Sequence, residues 1–243
     1  METKEILYFE EPGPANTDAV LEAAKRRIEA SGIDKAIIAS QAGATVKRFL
    51  EIAKDVRVDV VAVTNPKGAA LNIAVMYDKY EGSKRIKEEY KRKGESRFQC
   101  SISDEDREAF EKAGVKVAFM RDYLNIGDPR GLHDETKLNA SDLEWKRVRA
   151  KLRPFISADL RPLDIDAGAD LSLLNIISMG FRVLVGVTVV AVNNGFVSEG
   201  ETVLSIAGTG FAGGGADTAA VLRASSRARG CLIKEILAFP RQK

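Results

Sequence analysis

Two short stretches of this chain carry residue types suited to holding an anion. The first, Ser40-Gln41-Ala42-Gly43-Ala44-Thr45, follows an apolar run and precedes a helical pattern. A helix start leaves backbone N–H groups without partners and sits at the positive end of the helix dipole, so it attracts phosphate. Gly43 would let the backbone approach such a ligand closely, and Ser40 and Thr45 would add hydroxyl donors. The same residues equally suit a tight strand-to-helix turn with Ser or Thr capping and no ligand. The second stretch is Ala207-Gly208-Thr209-Gly210-Phe211-Ala212-Gly213-Gly214-Gly215-Ala216-Asp217-Thr218. It offers a Gly-x-Gly step, but a dinucleotide site needs a strand, the glycines, a helix and then a later acidic residue. Here residues 218–222 lead into another strand. The stretch reads either as a flexible loop covering a ligand or as a plain hairpin loop.

Other reactive candidates are sparse. His133 is the single histidine and lies in an irregular region, where a surface role suits it better than that of a base. With one histidine, and with Cys100 and Cys231 far apart and lacking a Cys-x-x-Cys spacing, neither a zinc site nor a disulfide framework is expected. No Ser/His/Asp set, phosphate-binding Walker loop or acidic metal cluster is present. The basic runs 84–93 and 146–153 are interleaved with Glu or apolar residues and read as solvated helix faces.

The bulk numbers narrow the class further. The 243 residues suffice for one large domain, and 45% hydrophobic with 30% charged content describes an ordinary globular chain. With 37 Lys and Arg against 35 acidic residues the net charge is +2, too balanced for a nucleic-acid or anionic-membrane face. The longest apolar run, 183–192, is about half of the roughly 20 residues a membrane helix requires. The start, Met1-Glu2-Thr3-Lys4-Glu5, has no apolar signal-peptide core. A cytoplasmic protein is therefore expected.

The elements that must position the candidate loops follow from periodicity. Ile6-Leu7-Tyr8-Phe9 reads as a short buried strand, and Asn16 as the N-cap of a helix ending at Gly32. Ala36-Ile37-Ile38-Ala39 and 58–63 read as strands apolar on both faces. The helix between them carries Val46, Phe49, Leu50 and Ala53 on one side, and Thr64-Asn65-Pro66-Lys67-Gly68 stops the second strand. Strand-helix-strand-helix-strand with doubly buried strands predicts a parallel sheet covered by helices, ordered around the Ile6 and Ile37 strands. Loops 12–17, 40–45 and 64–68 then share the carboxyl ends of the strands, where such sheets bind ligands. Residues 81–97 read as a solvated helix or loop. Ser103 opens a helix closed by Gly114, and 115–120 is a strand. Residues 169–179 read as a helix ended by Gly180. The run 182–192 is ambiguous: its β-branched content favours a strand, while its length and Gly186 would permit a strand that breaks into a helix. Strands follow at 202–206, 218–222 and 233–239. The whole, residues 1–243, is expected to be a single domain with an insertion at 122–166. That insertion would be weakly ordered or packed on another subunit in a homo-oligomer.

Several short motifs recur here in a familiar order. They are Phe9-Glu10-Glu11-Pro12-Gly13 with Asn16-Thr17, Ala39-Ser40 with Gly43 and Thr45, and Val63-Thr64 with Gly68. Then come Gly215-Ala216-Asp217-Thr218-Ala219, and Lys234-Glu235-Ile236 with Phe239-Pro240-Arg241. Together they resemble stand-alone proteins related to the C-terminal α/β domain of pyruvate kinase, over about residues 5–75, 103–121 and 175–243. The resemblance implies a three-layer α/β/α fold with a mostly parallel sheet. In pyruvate kinase the corresponding turn grips the phosphate of an allosteric sugar phosphate, and in the stand-alone family it is associated with flavin mononucleotide (FMN).

Carried over, Ser40, Gly43 and Thr45, with Ala44, would hold the phosphate. Thr64, Asn65, Gly208, Thr209, Gly210, Asp217 and Thr218 would line the pocket. The resemblance also implies a strand ending near Gly186 and a helix over 188–194. The chain departs from the family in two places. Asn65-Pro66-Lys67 stands where relatives carry a histidine after the threonine, and Gly186 stands where they carry a glutamate. Phosphoryl transfer as in whole pyruvate kinase needs a separate barrel for which this chain has no room. Two functions are expected to compete: a binder or enzyme with a phosphate-bearing small molecule, FMN foremost, or a regulatory or interaction module with a vestigial crevice.

Overall fold

The computed structural model of the chain describes residues 4–76, 78, 81–120, 171, 174–209 and 213–242. His133, Gly210 and the expected insertion at 122–166 lie outside them. The chain runs β1 (Leu7–Phe9), α1 (Thr17–Ser31), β2 (Lys35–Ala39), α2 (Ala44–Ile52) and β3 (Asp59–Thr64). A small excursion follows: β4 (Ala70–Asn72), α3 (Glu81–Lys93) and β5 (Arg97–Gln99). It returns through α4 (Asp104–Lys112) to β6 (Lys116–Phe119), and later come α5 (Met179–Asn193), β7 (Thr202–Ala207), β8 (Thr218–Arg223) and β9 (Leu232–Pro240).

Seven strands form one sheet in the order β1-β9-β8-β7-β2-β3-β6. Only β8 runs against the rest, pairing antiparallel with β7 and β9. The alternation of β2 explains the layers. Ala36 and Ile38 turn into one core with Val20, Leu21 and Ala24 of α1, Val46 and Phe49 of α2, and Phe110 of α4. Ile37 turns into the opposite core with Phe181, Leu184, Val187 and Val190 of α5. A strand buried on both faces needs a helix layer on each, and the result is a three-layer α/β/α arrangement. The excursion carries a third cluster of its own, with Leu71, Ile73, Met76, Ile86, Phe98 and Cys100.

Local signals set most of the boundaries. Gly32, in the left-handed region at φ 65°, stops α1 and returns its N–H to the Ile28 carbonyl. Ser103 caps α4 by accepting from the Asp106 amide, with Asp104, Glu105 and Asp106 in the positive first turn. Asn16 does not cap α1 with its side chain; its Nδ2 donates back to the Glu11 carbonyl instead.

Three expectations are corrected. The first is the later part of the helix expected over 169–179, with Gly180 as its stop; residues 169, 170, 172 and 173 lie outside the described residues. Ser178 accepts from the Phe181 amide and opens α5, so Gly180 lies in that helix's first turn, after a 3-10 turn at Leu174–Ile176. The second is the strand reading of the β-branched run 182–192, together with the strand ending near Gly186 that the resemblance implied. Both fall inside α5, with Gly186 and Thr188 buried mid-helix, while the helix that the resemblance implied over 188–194 is the last part of α5, which ends at Asn193. Burial against the sheet overrode strand propensity, because this face of the sheet needs a helix layer. The third is the placing of the Ile6 strand at the centre of the sheet. β1 is an edge, with Tyr8 48% exposed, while the Ile37 strand is interior as expected.

Candidate functional site

The sheet supplies a reason for a crevice before any side chain is considered. Strands β2 and β7 are parallel neighbours, but the chain leaves them in opposite directions. From β2 it passes through α2 to β3 on one side; from β7 it passes through residues 208–217 to β8 on the other. Where two outgoing connections diverge at the carboxyl ends, the sheet leaves a cleft between them. The described parts of the two stretches singled out in the sequence, 40–45 and 208–209 with 213–217, flank that divergence.

The first wall is open in its chemistry. Gly43 sits in the left-handed region at φ 89° as the residue preceding α2, and no side chain caps the helix. The amides of Ala44, Thr45 and Val46 belong to the first turn, where no preceding carbonyl can receive them. Ser40 and Thr45 are 8% and 9% exposed, and the Ser40 amide is fixed to the Val63 carbonyl at 2.9 Å. The nearby lysines are already paired: Lys47 with Asp106 at 2.6 Å, and Lys67 with Asp104 at 2.7 Å. The Lys67 ammonium holds the Asp104 carboxyl below its ordinary value. An anion entering here would meet helix amides and hydroxyls rather than a free ammonium group. Helix α4 also closes on the turn, since a Cβ at Gly43 would lie 3.0 Å from the Phe110 ring and 4.0 Å from Asp106 Oδ2.

The third loop is partly committed to structure. Thr64 Oγ1 donates to the Gln41 carbonyl at 2.7 Å and accepts from the Ile102 amide at 3.1 Å, so it ties the first wall to the chain entering α4. Asn65 Nδ2 donates to the Cys100 carbonyl at 2.7 Å. Between those anchors, Ser101 is 1% exposed and its hydroxyl has no hydrogen-bond partner. Burial pushes the Cys100 thiol up to about 11, which leaves it protonated and a poor nucleophile near neutral pH.

The second wall is closed. Asp217 is wholly buried, and four donors converge on its carboxylate: Thr209 N, Thr209 Oγ1, Thr218 Oγ1 and Gly13 N, at 2.8–3.2 Å. Burial pushes this carboxyl above its ordinary value, and the bonds from Thr218, Thr209 and Gly13 recover only part of that shift. Thr17 Oγ1 accepts from the Ala216 amide, locking the loop to the start of α1. The glycines are there for contact with protein. A Cβ at Gly208 would strike the Gly215 carbonyl, and one at Gly215 would strike Thr17 Oγ1 and Pro14. Thr209, Asp217 and Thr218 are thus brought together, but toward one another. Because the loop joins antiparallel strands, its place is that of a hairpin connection.

A contact that the sequence did not signal joins the excursion to the second wall. Gly82, in the first turn of α3, packs on the backbone of Gly213, and a Cβ at Gly82 would strike the Gly213 carbonyl. Nothing in the linear pattern marks Gly82, because its partner lies in a remote loop. Gly13 and Thr17 as loop anchors, and Phe110 against Gly43, were missed for the same reason. Among the described residues, no group of three or more His, Cys, Asp or Glu could hold a metal ion, and no helix is long and apolar enough to cross a membrane. No protein-family model matches the chain.

Proposed function

We propose that the chain binds a phosphate-bearing small molecule in the cleft between the carboxyl ends of β2 and β7, with its anion on the first turn of α2. The observation that carries this reading is the conjunction at Gly43. An uncapped helix start, flanked by Ser40 and Thr45, opens at the place where the connections from adjacent parallel strands diverge. FMN is the first ligand to try and a sugar phosphate the second, as expected of a fold like the pyruvate kinase C-terminal domain. The reading confines the anion to Ser40, Gly43, Ala44 and Thr45. Asp217, Thr209 and Thr218 then serve as the frame that holds the opposite wall.

A second reading is favoured by the way that opposite wall spends its polar groups. If Asp217 and the glycines are fully used inside the protein, the domain can act as a regulatory or interaction module whose cleft no longer takes a ligand. An absorbance scan of freshly purified protein, with native mass spectrometry, separates the two. A flavin band or a phosphate-bearing adduct supports the first reading. A colourless, ligand-free protein that also fails to bind FMN or sugar phosphates in titration calorimetry overturns it.

A further inference from the structure

We infer that residues 70–76 and 81–100 form a hinged cover over the cleft, latched by the contact between Gly82 and Gly213. The excursion leaves and rejoins the body at one place, the carboxyl end of β3. It goes out through the turn at Pro66, which accepts from the Ala69 amide, and Gly68 at φ 75°; it returns through Cys100 to Ser103. Its apolar residues pack in their own cluster, separate from the two cores that flank the sheet. Two of its ion pairs, Lys87 with Asp78 and Lys93 with Glu89, are internal. A unit with a private core and both of its crossings at one edge is built to move as a body about that edge.

Its far contact shows what it spans. The excursion is rooted after β3, yet Gly82 touches the loop that follows β7, two strands away in the order β7-β2-β3. Neighbouring strands lie about 4.8 Å apart, so the excursion bridges roughly 10 Å, past the position of β2 in the sheet order. The latch is two glycine backbones, with the Ile86 side chain beside Gly213. Two glycines at one point of touch let the backbones approach closely, and a single added Cβ there would hold them apart. That the cover shields a bound phosphate rests on the reading above; that it opens does not.

The test is hydrogen exchange on the full chain, wild type and Gly82→Ala. Alanine is a better helix former than glycine, so this change favours α3 itself while its Cβ blocks the latch. Exchange at the seam amide of Ile102, which donates to Thr64 Oγ1, should rise by about tenfold or more, as the overpacking penalty of one inserted methyl implies. Amides inside the excursion (Ile73, Cys100) and in β2 (Ile37, Ile38) should not change. No rise at the seam, or an equal rise in β2, overturns the cover. Wild type in low denaturant gives a second reading that needs no variant. Ile102 should exchange through an opening less costly than the global unfolding that governs Ile37, and equal costs overturn the inference. Adding FMN or inorganic phosphate to wild type should slow exchange at Val46. If it does not, while the Gly82→Ala pattern holds, the ligand reading fails and the cover stands.

Discussion

The loops after β2 and after β7 face each other across one cleft, and they use similar residues to opposite ends. Both are glycine-bearing and hydroxyl-bearing, and both leave a buried parallel strand. After β7 the hydroxyls of Thr209 and Thr218 donate to a buried carboxylate, and glycines at 208 and 215 let backbones touch. After β2 no carboxylate caps the helix, and the hydroxyl of Thr45 has no partner among the described residues. A loop that contains its own anion is finished by folding. One that ends on unpaired amides is finished only by solvent or by a ligand. The difference lies in one residue type, and Asp217 marks it.

The largest expected effect breaks the closed side. Asp217→Ala strands Gly13 N, Thr209 N and two hydroxyls in a site with no exposure. At about 1–3 kcal/mol for an unsatisfied buried donor, with part recovered by entering water, the total should be about 3–5 kcal/mol in urea denaturation. The pH dependence sharpens the point. The folded carboxyl titrates above its unfolded value, so the unfolded chain gives up its proton first. This residue's contribution is therefore complete below the ordinary carboxylate range, about pH 4, and is lost as pH rises through the elevated folded value. Asp217→Asn should remove that falling slope on the alkaline side. Glu235 works in the opposite sense. Burial raises its carboxyl, but the bonds from Lys4 and Arg27 prevail and hold it below the ordinary value, so its contribution is lost on acidification. Melting curves from pH 4 to pH 8 that leave the wild-type and Asp217→Asn slopes identical would show that Asp217 does not titrate in this way.

Next in size is Gly43→Asp, which attacks the open side. The new carboxylate would sit at the first turn of α2 beside Asp106 and displace a phosphate, costing about 2–4 kcal/mol of ligand affinity. With φ at 89° and Phe110 3.0 Å from the new Cβ, a stability loss of about 1–3 kcal/mol comes with it. Calorimetry with FMN and sugar phosphates reads the first effect, and thermal melts read the second. Equal affinity in both proteins places the ligand elsewhere.

The two sides were not equally legible in the sequence. The Ser40–Thr45 turn could be read because its meaning is local: strand end, glycine, hydroxyls and helix start are adjacent. β2, β3 and α2 were legible for the same reason, since their periodicity is carried within a few residues. Asp217 was read as a pocket residue because its partners are remote; Gly13 lies 204 positions away. The glycines at 82, 208, 213 and 215 mark close approaches between distant backbones, which composition records only as flexibility. The α5 run failed differently. Val183 to Val192 favours a strand locally, and the helix forms because the sheet's second face must be covered along its length.

The smallest effects provide the cleanest contrast, because one methyl-for-hydroxyl exchange can be made on each wall. Thr209→Val removes the Oγ1 that donates to Asp217 at 2.9 Å while keeping the branched shape. It should cost about 1.5–3 kcal/mol of stability, the net worth of one buried hydrogen bond to a charged partner after solvent exchange. Its effect on ligand affinity should be negligible, since that hydroxyl points into the frame. Thr45→Val should do the reverse. Its hydroxyl has no partner among the described residues, so the fold loses nothing measurable, and a valine is no worse than a threonine in a helix's first turn. A phosphate on α2 would lose one donor, about 1 kcal/mol or roughly fivefold in Kd. Measured together, denaturation midpoints and FMN titrations form a two-by-two comparison in which each variant should move one quantity and not the other. If Thr45→Val lowers stability and spares affinity, the first wall is as closed as the second and the cleft is architecture.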